Sequence, residues 1–397
     1  MVAAIGWTGH AFPAFALARE LRGRGHEVTV ESFERWRGVV EAHGIDFIAA
    51  EEQMELPGIA GAGAPTSLAE AVRRLEPTLA RLRPDVVVSD LFTIAPALAA
   101  EVAGVPRASL IPHPFPAHEP GLPFYPLGLA PPRTAIGRLG WQALWPVAGT
   151  RLPNTRLRRV RASIDLVRAE LGLGPQGRYD GQISEQLALV ATFPQLEYPR
   201  RWPAHVHVTG PMPFELEHPE IELPPGGAPL VLVAPSTERD LRLELVRTAL
   251  AAFEHEPVRV VATTNRAGLA AELAPPANAV IVDWLSYSQL LAHASLVVCH
   301  GGHGTVARAL AAGVPILVWP PAGDMAVNGA RVAWSGAGLM LPQRLLGETA
   351  LRRSARTLLA DESFESRARE LAAWARENDG AATAATLVER LAEARPA

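Results

Sequence analysis

Val297 to Trp319 reads VVCHGGHGTVARALAAGVPILVW. Val297 and Val298 are β-branched and lead into Cys299 as a strand, and His300-Gly301-Gly302-His303-Gly304-Thr305 then breaks the apolar run with three glycines. Val306 to Ala312 is helix-forming, Gly313 is a natural stop, and Val314-Pro315-Ile316-Leu317-Val318 resumes a strand. Glycines let a backbone approach a ligand closely, and a new helix presents unpaired N–H groups and its positive dipole end at the same spot. That combination makes an anion site, best suited to phosphate. Neither the Walker spacing nor Gly-x-Gly-x-x-Gly is present, so neither a P-loop nucleotidase nor a simple dinucleotide fold is supported.

Outward from this stretch the same strand-helix alternation recurs. On its N-terminal side lie the strands Leu230 to Ala234, Arg259 to Ala262 and Val280 to Val282, with helices over Glu238 to His255 and Ser286 to His293. Ala326 to Trp334, Leu345 to Leu359, Phe364 to Glu377 and Ala381 to Ala394 read as further helices. The beginning of the chain repeats the pattern. Val2 to Gly6 is a strand, Pro13 opens a helix, Glu27 to Glu31 is a strand, and Arg35 to His43 is a helix. Ser67 to Arg83 is amphipathic, Asp85 to Asp90 is a continuous apolar strand ending in an acid, and a helix over Ala95 to Ala103 precedes the strand Ala108 to Ile111. Leu187 to Ala191 and His205 to Val208 are short strands. Repeated units of this kind imply parallel, doubly wound sheets, two of them, joined through the Pro-, Gly- and Glu-rich Pro211 to Pro229.

The 397 residues suffice for two ordinary domains. Lys+Arg 37 against Asp+Glu 41 gives a formal net charge of -4, which offers no electrostatic reason to expect nucleic acid. A lone cysteine, Cys299, excludes an internal disulfide framework and fits a reducing cytoplasm. No signal peptide or membrane span is recognisable. From Pro112 to Pro153 the alternation is lost, and Phe115, Phe124, Tyr125, Trp141 and Trp145 make the segment suited to lining a pocket for a hydrophobic molecule. Arg156, Arg158, Arg159 and Arg161 in the following helix read as a solvated face.

Ligands of such sheets sit at the carboxyl ends of strands, where His10, Asp90, Thr237, Trp284 and His300 all fall. An imidazole at His10 is suited to take a proton near neutral pH, and Asp90 is placed to orient it and stabilise its charged form. Trp284, after Asp283, is suited to lie against a base, a contact worth about 1 to 3 kcal/mol. His205-x-His207 and His300-x-x-His303 lack a cysteine or carboxylate to complete a metal site. No Asp-x-Asp pair is present to hold a divalent cation on a diphosphate, so the helix end and His300 must neutralise it.

These residues resemble the family 1 glycosyltransferases of the GT-B fold, in the actinobacterial style that decorates antibiotics and other aglycones. The resemblance covers nearly the whole chain. Gly9-His10-Ala11-Phe12-Pro13 is similar to the family's Gly-His-x-x-Pro, whose histidine is the general base, and Asp90 to the acid that supports it. Trp284 matches the base-stacking tryptophan. HGGHGT matches the diphosphate motif, with His300, Gly302, Gly304 and Thr305 as the expected contacts, and Ser236-Thr237 stands where the family usually has Gly-Ser. Asp324, followed by Asn328, matches the acid that holds sugar hydroxyls.

The resemblance implies an α/β GT-B fold: two Rossmann-like domains with parallel sheets facing across a cleft. Residues 1–210 are expected to bind the acceptor, 211–229 to link, 230–380 to bind the nucleotide sugar, and 381–397 to form a C-terminal helix. The implied activity is inverting, metal-independent transfer of a sugar from a UDP- or dTDP-linked donor to a hydroxyl of a small hydrophobic or aromatic acceptor. It would use no cofactor, in a cytoplasmic monomer or homodimer that binds no nucleic acid. The alternatives are a nucleotide-sugar 2-epimerase and a non-catalytic sugar-nucleotide binding protein. Three positions depart from the family pattern: Tyr287, Arg308 and Met325 replace its usual glutamine, glutamate and glutamine. A guanidinium accepts no hydrogen bond from ribose hydroxyls, and each lost neutral bond is worth about 0.5–1.5 kcal/mol. A deoxyribose nucleotide such as dTDP, or a deoxygenated sugar, would miss these groups least.

Overall fold

The computed structural model describes residues 1–50, 67–117, 119, 121–123, 127–141, 143, 155–177, 183–236, 239–321 and 323–394. Thr237, Phe124, Tyr125, Trp145 and the side chains of Arg156, Arg158 and Arg159 lie outside the described residues. Two parallel sheets account for every described strand. The first contains β1 (Val2–Ala3), β2 (Thr29–Phe33), β3 (Asp46–Ala50), β4 (Val87–Asp90), β5 (Arg107–Ile111), β6 (Leu187–Val190) and β7 (Val206–Val208), in the order β3-β2-β1-β4-β5-β6-β7. The second contains β8 (Leu230–Ala234), β9 (Arg259–Thr263), β10 (Ala279–Val282), β11 (Ala294–Cys299), β12 (Ile316–Val318) and β13 (Gly338–Met340), in the order β10-β9-β8-β11-β12-β13.

Strands such as β4, β5 and β8 are buried along their whole length because helices cover both faces, which is why they read as unbroken apolar runs. The strand order reverses direction between β1 and β4 in the first sheet and between β8 and β11 in the second. At such a point the chain leaves two adjacent strands toward opposite faces and opens a crevice at their carboxyl ends. His10 and Asp90 follow or end β1 and β4. Ser236 and His300 follow β8 and β11.

Several boundaries differ from those read in the sequence. The first helix spans Thr8–Gly23 and contains Pro13 as its sixth residue, so His10 lies in its first turn rather than before it. Proline costs a helix little near its start, where N–H groups lack partners anyway. The helix after β11 begins at His303, capped by Gly302, and not at Val306. The helix after β8 is Glu244–Phe253, six residues later than expected, because Asp240 accepts from the Glu244 and Leu245 N–H groups (2.7 and 3.1 Å) and Leu243 adopts a left-handed φ of 55°. Strands β3 and β13 had no legible signal. Within the aromatic segment, residues 135–141 are helical. Arg161 is half-buried and donates to the Gly177 carbonyl at 3.1 Å, and Arg168 in the same helix is buried against Glu101 at 2.8 Å.

The segment 211–229 adheres to both sheets: Met212 and Phe214 are buried in the first core, while Ile221 and Leu223 pack on the second. The last described helix, Gly380–Glu393, crosses back and docks on Thr8–Gly23, burying Ala384, Ala385 and Val388 in the first core. Arg24 fastens it through Glu389, Thr386 and the Ala382 carbonyl. The two crossings touch. A Cβ on Gly380 would fall 2.4 Å from the Pro211 carbonyl oxygen and 2.5 Å from that of Gly210.

Candidate active site

The expected base and its supporting acid are brought together. His10 Nδ1 lies 2.7 Å from Asp90 Oδ1, the histidine side chain is 14% exposed and the aspartate side chain 0%. Asp90 Oδ2 accepts from the Phe92 N–H and the Thr93 hydroxyl, both at 3.3 Å, which fixes the carboxylate at the end of β4. A carboxylate only accepts, so Nδ1 carries the proton and Nε2 is the basic nitrogen. Phe92 packs on the imidazole at 4.9 Å between centroids, and Trp7 meets it edge-on at 6.1 Å.

A third group, absent from the sequence reading, completes this corner. His113, just past β5, stands edge-on to His10 at 6.0 Å and hydrogen-bonds through Nδ1 to the Pro114 carbonyl at 2.9 Å. Burial, and then the neighbouring His10, push its pKa down to about 4, against the opposing charges of Asp324 and Asp90. It is therefore a neutral imidazole at physiological pH. The signal in the sequence was the one His10 carries: a histidine immediately beyond the carboxyl end of a parallel strand.

On the facing side, His300 bonds the Ala234 carbonyl through both its backbone N–H (3.2 Å) and Nδ1 (3.1 Å), which ties the turn after β11 to β8. Burial lowers the His300 pKa, while the Ala234 carbonyl and Asp324 oppose the shift. Two glycines of the turn are required by space. A Cβ on Gly301, whose φ is 89°, would lie 2.7 Å from Val318 Cγ1, and one on Gly302 would lie 2.3 Å from His300 Nε2. Gly304 is exposed with nothing near its Cβ position, so the first helical turn opens outward. Thr305 is buried beneath it. Ser236 is buried and caps the following turn by accepting from the Arg239 N–H at 3.0 Å.

His303 of the motif faces the other domain. Its Nε2 lies 3.2 Å from the Ala191 carbonyl, just past β6, and burial holds its pKa down at about 3. Asp324 is exposed at the first residue of the helix Asp324–Ser335. Asn328, one turn on, is buried and donates to the Gly301 carbonyl at 2.8 Å, which places it behind the turn. Farther along this helix Arg331 crosses to the first domain, donating to Glu197 Oε2 at 2.8 Å and to the Leu196 carbonyl at 2.7 Å, with Tyr198 stacked on the guanidinium at 4.3 Å. Glu197 Oε1 in turn accepts from the Phe115 N–H at 2.6 Å, at the start of the aromatic segment.

Trp284 is 45% exposed after β10, with the His218 ring nearly parallel to it at 6.2 Å. Tyr287, in the short helix that follows Trp284, lies 5.5 Å from the Arg308 guanidinium of the helix after the glycine turn. Burial raises the Tyr287 pKa, and the Asn265 and Thr305 side chains lie close enough to its hydroxyl to act against that shift. Among the described residues no group of three or more His, Cys, Asp or Glu side chains is arranged to hold a metal ion, and no helix is long and apolar enough to cross a membrane.

Comparison with known proteins agrees with this geometry. Residues 1–108 match the glycosyltransferase family 28 N-terminal domain, and residues 244–393 match the C-terminal domain of erythromycin biosynthesis protein CIII-like proteins. The 4'-demethylrebeccamycin synthase of Lentzea aerocolonigenes is 30% identical, covering 98% of this chain and 99% of its own length. The O-mycaminosyltylonolide 6-deoxyallosyltransferase of Streptomyces fradiae is 28% identical over 98% and 97%. Among solved structures, the calicheamicin glycosyltransferase CalG4 superposes with a TM-score of 0.76 at 25% identity, covering 98% and 97% of the two chains. The glycosyltransferase VinC, solved in complex with dTDP, shares the fold with a TM-score of 0.69 at 21% identity over 99% and 98%. Relatives of this kind favour neither an epimerase nor a non-catalytic binding protein. With two facing parallel sheets, a His-Asp pair at one switch point and a glycine turn at the other, the chain belongs to the family 1 glycosyltransferases of the GT-B fold, natural-product type.

Proposed function

We propose that this enzyme inverts configuration as it moves a sugar from a nucleotide diphosphate to a hydroxyl of a small, mostly hydrophobic acceptor, without metal. His10 Nε2 takes the acceptor proton, Asp90 holds the imidazole through Nδ1 and stabilises its charged form, and the oxygen attacks the anomeric carbon from the face opposite the diphosphate. The N–H groups of the first turn of His303–Ala311, with Thr305 and His300, hold the departing diphosphate. Trp284 carries the base, and Asp324 accepts from sugar hydroxyls. Ser236, just past β8, flanks the phosphates. Phe115 and Trp141, described aromatics of the segment beyond β5, belong to the acceptor side. Preference for a dTDP-linked deoxysugar is supported by Arg308 and Met325, by the dTDP-bound neighbour and by the 6-deoxyallosyltransferase relative.

The 2.7 Å bond between His10 and Asp90, at the switch point facing the glycine turn, is the observation that carries this reading. A donor-by-acceptor screen with mass detection tests reaction class, nucleotide and acceptor together. With the best pair, His10→Ala should lower turnover by about 10²–10⁴-fold while nucleotide affinity is retained. Wild-type turnover in that variant would remove His10 from the role.

A further inference from the structure

Arg308 lies one turn beyond Gly304 and Thr305 on the helix His303–Ala311, and helical side chains lean back toward the preceding turn. Its guanidinium meets three separate pieces of the chain. It lies 5.5 Å from the Tyr287 ring on the donor side, and 5.8 Å from the ring of Phe12, two residues past His10. Its Nη2 donates to the Phe214 carbonyl in the segment between the domains. Phe12 is itself wedged against Trp36 and Phe214 at 5.4 and 5.5 Å, so it is a fixed abutment. The contacts of His303 and Arg331 reach the first domain beyond β6; Arg308 instead reaches the helix that carries His10.

Burial lowers the Arg308 pKa, opposed by Tyr287 and Glu215. The charge is kept where desolvation disfavours it, with a neutral carbonyl and two aromatic faces as close partners. An apolar side chain would fill this space at lower desolvation cost. What it would not supply is a directional bond and a planar contact that hold one helix in register with another. We propose that Arg308 is a positioning residue that registers the His10 helix against the helix whose first turn holds the diphosphate. The base then lines up with the leaving group only when this guanidinium is in place. This rests on the glycosyl-transfer reading above.

The test uses Arg308→Met, of similar length and no charge, and Arg308→Lys, which keeps the charge and loses the planar contact. Titration calorimetry with dTDP and UDP reads the donor side, turnover with the best donor-acceptor pair reads the reaction, and ¹³C NMR of the His10 Cε1 signal reads the base during nucleotide titration. In Arg308→Met we expect nucleotide affinity within about threefold of wild type, turnover lowered by about tenfold or more at unchanged donor KM, and loss of the nucleotide-induced change at His10. Arg308→Lys should fall between the two and, if Arg308→Met fails to fold, carries the test alone. Wild-type turnover in both variants, or in Arg308→Lys alone where Arg308→Met does not fold, overturns the proposal. So does nucleotide affinity that falls in step with turnover, which would make Arg308 a ligand contact. A wild-type protein that binds neither nucleotide and transfers no sugar would defeat the glycosyl-transfer reading instead.

Discussion

Replacing Arg331 by methionine should destabilise the protein through a carboxylate rather than through the arginine itself. Arg331 and Glu197 pair across the domains with side chains that are each 3% exposed. Removing one partner of such a pair typically costs about 3–5 kcal/mol, because the remaining charge is left buried. Glu197 keeps the Phe115 N–H at 2.6 Å and the Arg200 guanidinium at 3.8 Å, so the loss should sit near about 3 kcal/mol, the lower end of that range. For a domain of this size that corresponds to a fall in Tm of about 6–12 °C. Adding Glu197→Gln removes the stranded charge. The double variant should therefore lose clearly less than the sum of the singles, with a coupling of about 1–3 kcal/mol. Urea unfolding of the four proteins in the double-mutant cycle measures this. Additive singles, within about 0.5 kcal/mol, would refute the reasoning, as would a Tm for Arg331→Met within a degree or two of wild type.

Acid should loosen the same region. His113 and His303 titrate at about 4 and about 3 when folded and near the ordinary value of 6.5 when unfolded, so the unfolded chain binds more protons between those limits. Stability is full above pH 6.5 and falls as pH drops toward 4 and 3, by about 1.4 kcal/mol per pH unit for each histidine. Urea unfolding at several pH values should show a shallower acid slope in His303→Gln, and an unchanged slope would contradict the assignment. Gly302→Ala should displace His300 and weaken dTDP binding by tenfold or more while turn-independent stability changes little; unaffected calorimetric titrations would count against the anion site. Asp90→Asn should lower turnover by a factor comparable to His10→Ala, and the two changes together should cost little more than either alone. EDTA should leave transfer intact, and a strict divalent-ion requirement would oppose the metal-free account.

The parts of the site legible in the sequence are those set by local chain chemistry. HGGHGT stands out because glycines and polar groups interrupt a strand-to-helix path. His10 and Asp90 were pairable because both fall at carboxyl ends of strands that parallel topology makes neighbours. Helix starts were misplaced at Pro13 and at Gly302 to Thr305 for one reason: breakers in a helix's first turns are tolerated, yet they read as its boundary. Arg331 and Glu197 were illegible because they are 134 residues apart and meet only when the domains face each other. Arg308 was visible as an anomaly at a donor position. Its contact with Phe12 depends on how the domains sit, which no local pattern encodes.

The crossing-back of Gly380–Glu393 bears on how the chain is made. The helix that seals Ala384, Ala385 and Val388 against Thr8–Gly23 emerges only after the whole donor-side sheet has been synthesised. At about 5–20 residues per second, the wait between Gly210 and this helix is on the order of tens of seconds. Until then Ala384, Ala385 and Val388 are not there to pack against the helix that bears His10. Along the chain, the last piece of the first core thus follows every strand of the second sheet.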